Sequence, residues 1–297
     1  MPSSKISYLD PLVLARIGNL QIRAKTVVEG FIAGLHQSPY RGHSLEFAQH
    51  REYAYGDELK YIDWKVYGRS DRFFVKQFEE ETNLRLYIFL DTSGSMGFKG
   101  QGSAFSKYDY AATVASSLAY LALKQGDSVG LGYSNDKGLN VIPPRNSFSH
   151  LNILLEELER VKPKGEINLA ESLNAFSHSC KKRSLIVLIS DLLDDQDAVL
   201  ASLKFLGFKK HEVIVVHLLD KDEEDFPYSG PIRFDSMENS DNVVVDSQAL
   251  RKSYRAAIAG LVENYRVALR KSKIRYYCNT TDEPLDKLLQ FILMRSR

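Results

Sequence analysis

The sequence predicts an α/β protein built on a doubly wound, mostly parallel sheet flanked by helices. Three observations predict it. From Leu84 onward, apolar runs of strand length alternate with segments of helical length and period. Two of these runs, SLIVLIS (184–190) and EVIVVHLL (212–219), are apolar nearly throughout, as strands covered on both faces must be. The intervening segments are long enough to supply helical cover, which favours parallel crossovers over hairpins. A chain of 297 residues, 44% hydrophobic and 26% charged, can bury a core of that size.

The elements follow in chain order. Apolar positions at Ile17, Leu20, Ala24, Val27, Val28, Phe31, Ile32 and Leu35 lie on one helical face, so residues 12–35 read as a single helix. Pro39 and Gly42 end it. Residues 51–78 are rich in aromatics and charge; Tyr53 and Tyr55 alternate before a Gly56-Asp57 turn, and RFFVKQF reads as a second short strand. Residues 84–90 then form a strand, 108–124 a helix, 128–133 a strand and 139–142 a short strand. Helices at 148–161 and 169–181 follow, then a strand at 185–189, a helix at 198–206 and a strand at 212–219. A short strand at 243–245, a long helix at 247–271, a strand at 274–278 and a helix at 284–297 complete the series.

Composition removes several function classes. With 39 Lys plus Arg against 38 Asp plus Glu, the net charge of +1 gives no bulk attraction for nucleic acid. The N-terminus has no uninterrupted apolar stretch of signal-peptide type. No run approaches the about 18 apolar residues of a membrane span. The two cysteines, Cys180 and Cys278, stand far apart and suit a reducing compartment. The expectation is a soluble, cytoplasmic protein.

The chemistry concentrates where the first long strand ends. LRLYIFL delivers Asp91, Ser93 and Ser95 in a D-x-S-x-S pattern. One carboxylate and two hydroxyls are hard oxygen donors suited to Mg²⁺ or Mn²⁺. The same Ser and Thr residues could instead cap the next helix. In a doubly wound sheet, ligands bind outside the carboxyl ends of the strands. Asp91 and Asp191, which follows SLIVLIS, both fall on that edge.

IFLDTSGSMG resembles the metal-ion-dependent adhesion site of von Willebrand factor A domains. Upstream, Arg51, Tyr53, Gly56-Asp57, Ile62-Asp63-Trp64, Arg69 and the run Phe78-Glu79-Glu80-Glu81 resemble the segment preceding such a domain in the bacterial family called domain of unknown function 58. The resemblance implies a von Willebrand factor A or Rossmann-like domain over residues 84–297. A helical and short β extension over residues 1–83 precedes it. It implies a metal site of Asp91, Ser93 and Ser95, with Asp191 as the third-loop aspartate. The second loop of the pattern offers a Thr; here Ile167 stands in its place, and Asn168 follows with an amide oxygen. The family is often encoded beside MoxR-type AAA+ ATPases, which implies such an ATPase, or an acidic client protein, as partner, and no reaction. The function expected is a metal-dependent protein-interaction module acting in client assembly or remodelling. The enzymatic alternative is a Mg²⁺-dependent phosphohydrolase of the haloacid-dehalogenase type; a scaffold with a degenerate site is a third.

Other signals are set aside. GFKGQGSA (97–104) lacks the Lys-Ser/Thr of a phosphate loop and reads as a flexible surface loop. Ser93 replaces the first Gly of a serine-hydrolase elbow around Ser95. The seven histidines show no tight metal spacing. His43, His150 and His211 read as surface or packing residues, and His217 as a buried imidazole. DKDEED (220–225) reads as a solvated loop. Trp64, with Asp63 and Arg69, reads as an anchor of the extension.

Overall fold

The computed structural model describes residues 9–37, 50–52, 74–76, 84–135, 137–238 and 242–294. The chain forms two compact units, one of Met1–Ala33 with Leu84–Arg297 and one of Gly34–Asn83. In the smaller unit, β1 (His50–Glu52) pairs antiparallel with β2 (Phe74–Lys76), Arg51 opposite Val75. Tyr53, Gly56-Asp57, Trp64, Asp63, Arg69 and Phe78–Glu81 lie outside the described residues, as does His43.

The larger unit is organised by a six-stranded sheet. Its strands are β3 (Arg85–Leu90), β4 (Ser128–Asn135), β5 (Gly138–Arg145), β6 (Leu185–Ser190), β7 (Glu212–Leu219) and β10 (Arg275–Thr280), in the spatial order β5-β4-β3-β6-β7-β10. Every neighbouring pair is parallel except β4–β5. A separate antiparallel hairpin joins β8 (Pro231–Asp235) to β9 (Asn242–Asp246).

The chain begins the sheet at β3, moves outward to β4 and β5, then returns to β6 and proceeds the other way. The direction of winding reverses between β3 and β6, and there the connections leave a crevice at the carboxyl edge. Asp91 and Asp191 are the residues immediately after those two strands.

Successive side chains of a strand point to opposite faces, and β3 divides its residues accordingly. Leu86, Ile88 and Leu90 join a core with α3 (Lys107–Lys124), α4 (Phe148–Arg160), α9 (Leu285–Leu293), α1 (Pro11–Leu14) and the buried face of α2 (Leu20–Gln37). Tyr87 and Phe89 join the opposite core with α5 (Leu169–Ser179), α6 (Gln196–Phe208) and the end of α8 (Ser247–Lys271). Both faces of the inner strands are thus covered, which is why β3, β6 and β7 read as nearly unbroken apolar runs.

Four expectations change. The helix expected over residues 12–35 is two helices: Ala15 closes α1, and Asn19 restarts the chain by accepting a hydrogen bond from the Ile22 amide at 2.9 Å. Helical apolar spacing continues through the break because Leu14, Leu20, Val27 and Phe31 join one core. Residues 9–33 therefore belong with the sheet, and the separate unit begins at Gly34.

The acidic run is a short helix, α7 (Lys221–Asp225), with a capping box in which Asp220 and Glu223 satisfy each other's backbone amides. Asp220 is fully buried and accepts hydrogen bonds from Ser103 Oγ at 2.6 Å and Thr281 Oγ1 at 3.0 Å. That contact also fixes the 97–104 loop: Gly100 and Ser103 are buried, and the Gln101 amide donates to Asp222 Oδ2 at 2.9 Å. A side chain at Gly100 would overlap the Asp220 carboxylate, so glycine is required there.

β8 was not expected. Five residues opening with Pro and interrupted by Arg233 give too short an alternation to read, and the strand pairs only with β9.

Candidate functional site

Three loops build the crevice. The first, 91–97, leaves β3 and turns into a short 3-10 segment, Gly94–Gly97. Its Gly94 amide donates to the Gly165 carbonyl at 2.8 Å, and the Lys164 amide donates to the Thr92 carbonyl at 3.1 Å. These bonds, with Gly165 at φ +73, hold the second loop against the first and bring Ile167 and Asn168 to the same rim. The third loop, 191–195, begins with a sharp reversal. Leu192 is a buried non-glycine residue at φ +54, a conformation that costs energy and is commonly retained at functional sites.

The cleft between these loops measures about 330 Å³ and is lined by Asp91, Ser93, Asn168, Asp191, Asp194 and Glu238, among others. The fold therefore brings Asp91, Ser93, Asp191 and Asn168 to one place. Ser95 adjoins through Ser93, their hydroxyl oxygens 3.0 Å apart, and also donates a hydrogen bond that favours ionised Asp191. The two hydroxyls face each other and not main-chain amides. Asn168 is committed elsewhere in part: its Oδ1 caps α5 by accepting from the Glu171 amide at 2.9 Å.

The two aspartates are buried to similar degrees, 6% and 1% exposed, yet differ electrostatically. Asp91 accepts from the Ser93 amide at 2.9 Å and from Ser190 Oγ at 2.5 Å, both neutral donors. Burial, and then repulsion from Asp191, push its pKa up to about 6 against that hydrogen bonding. Asp191 meets a cation. Lys107, itself fully buried at the start of α3, places Nζ 2.8 Å from Asp191 Oδ2 and 2.6 Å from Glu223 Oε1. Burial alone would raise the Asp191 pKa, but the ammonium outweighs it and leaves the pKa lowered. Lys107 shows the converse: burial disfavours its charge, and Asp191 and Glu223 together raise its pKa.

The sequence reading missed Lys107, Glu223 and Glu238. The signal for Lys107 is its position: a cation in the first turn of a helix opposes the macrodipole and needs a local anion. Glu238 comes from the turn after β8. The Met237 carbonyl packs so closely on Gly94 that a methyl group there would overlap it.

The donor set can be tested against the ion the resemblance implies. Two carboxylates and two hydroxyls are hard oxygens, and the open cleft leaves room for retained water, so they fit Mg²⁺ or Mn²⁺. The fit is sparing. Ile167 offers no donor, and among the described residues no three His, Cys, Asp or Glu side chains form a metal cage.

His217 lies beneath the site, fully buried, with Nδ1 2.7 Å from the Tyr276 hydroxyl; burial lowers its pKa to about 4. His150 is a packing residue whose Nε2 bonds the Val129 carbonyl at 2.9 Å.

The chain is similar to several known proteins. An uncharacterized protein of Mycobacterium tuberculosis, Rv1480, is 25% identical over 234 residues, covering 77% of this chain and 72% of its own. YeaD of Bacillus subtilis, also uncharacterized, is 27% identical over 119 residues, 40% of this chain and 27% of that protein. Among solved structures, BatB from Bacteroides thetaiotaomicron aligns with a TM-score of 0.45 at 18% identity, over 70% of this chain and 97% of its own. The SpRpn10 VWA domain aligns with a TM-score of 0.42 at 10% identity, over 69% and 93%. The family model described as protein of unknown function DUF58 matches residues 49–262, the greater part of the chain, and the protein belongs to that family.

Proposed function

We propose that the protein is a non-enzymatic interaction module that engages a partner protein through a divalent ion. The observation that supports this most is the convergence of Asp91, Ser93 and Asp191 on one open cleft at the winding reversal of the sheet. Asp91, Ser93 and Ser95 would hold Mg²⁺ or Mn²⁺, with Asp191 and Asn168 reaching it directly or through water. The ion supplies a positive centre that accepts a carboxylate. The chain's residues fix the donors: Ser190 orients Asp91, Lys107 orients Asp191, and the backbone bonds between loops hold the hydroxyls at the rim.

The donor count supports an incomplete shell. With Ile167 in place of a hydroxyl residue, the protein leaves positions for water and for an acidic side chain of the partner. A MoxR-type AAA+ ATPase or an acidic client is the partner the family resemblance favours, in a cytoplasmic setting. No described helix is long and apolar enough to cross a membrane.

The phosphohydrolase reading is disfavoured by Ser93. It stands two residues after Asp91, where such an enzyme carries a carboxylic acid, and its hydroxyl is paired with Ser95 at 3.0 Å. Turnover of an aryl phosphate, lost in Asp91→Asn, would reverse that judgement.

The test is affinity capture from native lysate with wild-type and Asp91→Ala protein, each with Mg²⁺ or chelator. A partner retained only by wild type in Mg²⁺ is the expected result. Equal capture in all four arms contradicts ion-mediated recognition.

A further inference from the structure

The placement of Lys107 is costly. Its ammonium is fully buried, stands at the positive end of a helix and faces an ion site. An apolar residue would fill the same volume without that desolvation. What the lysine does can be read from its two partners. Asp191 lines the cleft, whereas Glu223 sits on α7 and is not among the cleft's lining residues. The Asp191 carboxylate is engaged unequally. Oδ2 takes the ammonium at 2.8 Å, while the Leu193 amide reaches Oδ1 at a long 3.4 Å. Glu223 is fixed independently, its Oε2 accepting from the Asp220 amide at 2.8 Å. Should Asp191 turn to another cation, the ammonium keeps a charged partner already in position.

We propose that Lys107 is a resident cation of the candidate ion site: it competes with a divalent ion for Asp191 and thereby sets the affinity of the site, with Glu223 as the anion that retains it. The inference rests on the ion-dependent reading given above. It accounts for two buried carboxylates lining one cleft: one is neutralised by the chain itself, and the other carries the repulsion. It also makes the site one that holds a bare ion weakly. The ion gains most when a partner carboxylate accompanies it, because the added negative charge offsets the adjacent ammonium.

The test is Mn²⁺ titration, by calorimetry and by the electron paramagnetic resonance of free Mn²⁺, of wild type and of the paired variant K107M/E223Q. The pair removes one charge of each sign, so Glu223 is not stranded and Asp191 alone is left without its ammonium. The expected result is at least tenfold tighter Mn²⁺ binding in the paired variant, abolished when Asp91→Asn is added. Wild type that binds Mn²⁺ as tightly as the paired variant, or more tightly, overturns the role of Lys107 and leaves the ion site standing. Silence in both proteins overturns the ion site and this inference with it.

A second measurement needs no variant. With ¹⁵N-lysine labelling, the buried ammonium should give a slowly exchanging resonance that moves on Mg²⁺ saturation. An unmoved ammonium alongside shifted backbone resonances of Ser93 and Ser95 overturns the proposal.

Discussion

The loops after β3 and β6 make an instructive pair. Each follows a fully buried strand, each opens with a buried aspartate, and both face one cleft. Their carboxylates nevertheless titrate in opposite directions, Asp91 upward to about 6 and Asp191 downward. Burial is common to both, so burial does not explain the difference. The neighbours do: neutral donors around Asp91, an ammonium against Asp191. In one site the protein keeps a charge it has neutralised and another it has left in want of a cation.

Removing the cation should break the contrast most severely. Lys107→Met leaves Asp191 and Glu223 buried without a counter-charge, and loss of one partner of a buried pair costs about 3–5 kcal/mol. Urea denaturation should show that loss, and saturating Mn²⁺ should restore part of it. Asp191→Asn leaves the ammonium with Glu223 alone and should cost somewhat less, about 2–4 kcal/mol.

Asp91→Asn should act with the opposite sign. Its native pKa, about 6, lies above the ordinary 3.8, so at neutral pH the ionised side chain opposes folding. Neutralising it should stabilise the metal-free protein by roughly 1–3 kcal/mol while removing its response to Mg²⁺. A destabilised Asp91→Asn would mean that the carboxylate is better satisfied than its neighbours indicate.

The pH dependence sharpens the same point. A group whose native pKa is raised contributes stability at low pH and loses it as pH rises through that pKa. The gap between Asp91→Asn and wild type should therefore open as pH rises through about 6 and close toward pH 4. His217 works the other way. Its native pKa of about 4 lies below 6.5, so its contribution is present above pH 6.5 and is lost as pH falls toward 4. It is common to both proteins and cancels in the difference. Mn²⁺ affinity should weaken as pH falls through about 6, when Asp91 takes a proton.

The smallest effect concerns the 236–238 turn. Gly94→Ala would collide with the Met237 carbonyl. The turn can shift, so the cost should sit near the low end of overpacking, about 1 kcal/mol. Glu238 should leave the cleft, seen as faster proteolysis between β8 and β9.

What could be read from the sequence follows from range. β3, β6 and β7 were legible because both their faces are covered and their apolar runs are nearly continuous. Asp91 and Asp191 were legible as a pair because a topological rule places strand ends together without knowledge of contacts. Lys107 and Glu223 were not, because their meaning lies in contacts spanning 84 and 116 residues, and an acidic run on a surface reads the same whether or not one member turns inward. The break at 15–19 was hidden because α1 and α2 join one core, so helical spacing survives the interruption. β8 escaped because a lone hairpin carries only a short alternation, here interrupted by charge.

The most direct measurement is a calorimetric titration of Mg²⁺ and Mn²⁺ into metal-free wild type and Asp91→Ala protein at neutral pH. The account predicts saturable heat at one ion per chain in wild type, stronger for Mn²⁺, and none in the variant. Indistinguishable titrations of the two proteins would contradict an ion held between Asp91, Ser93 and Ser95.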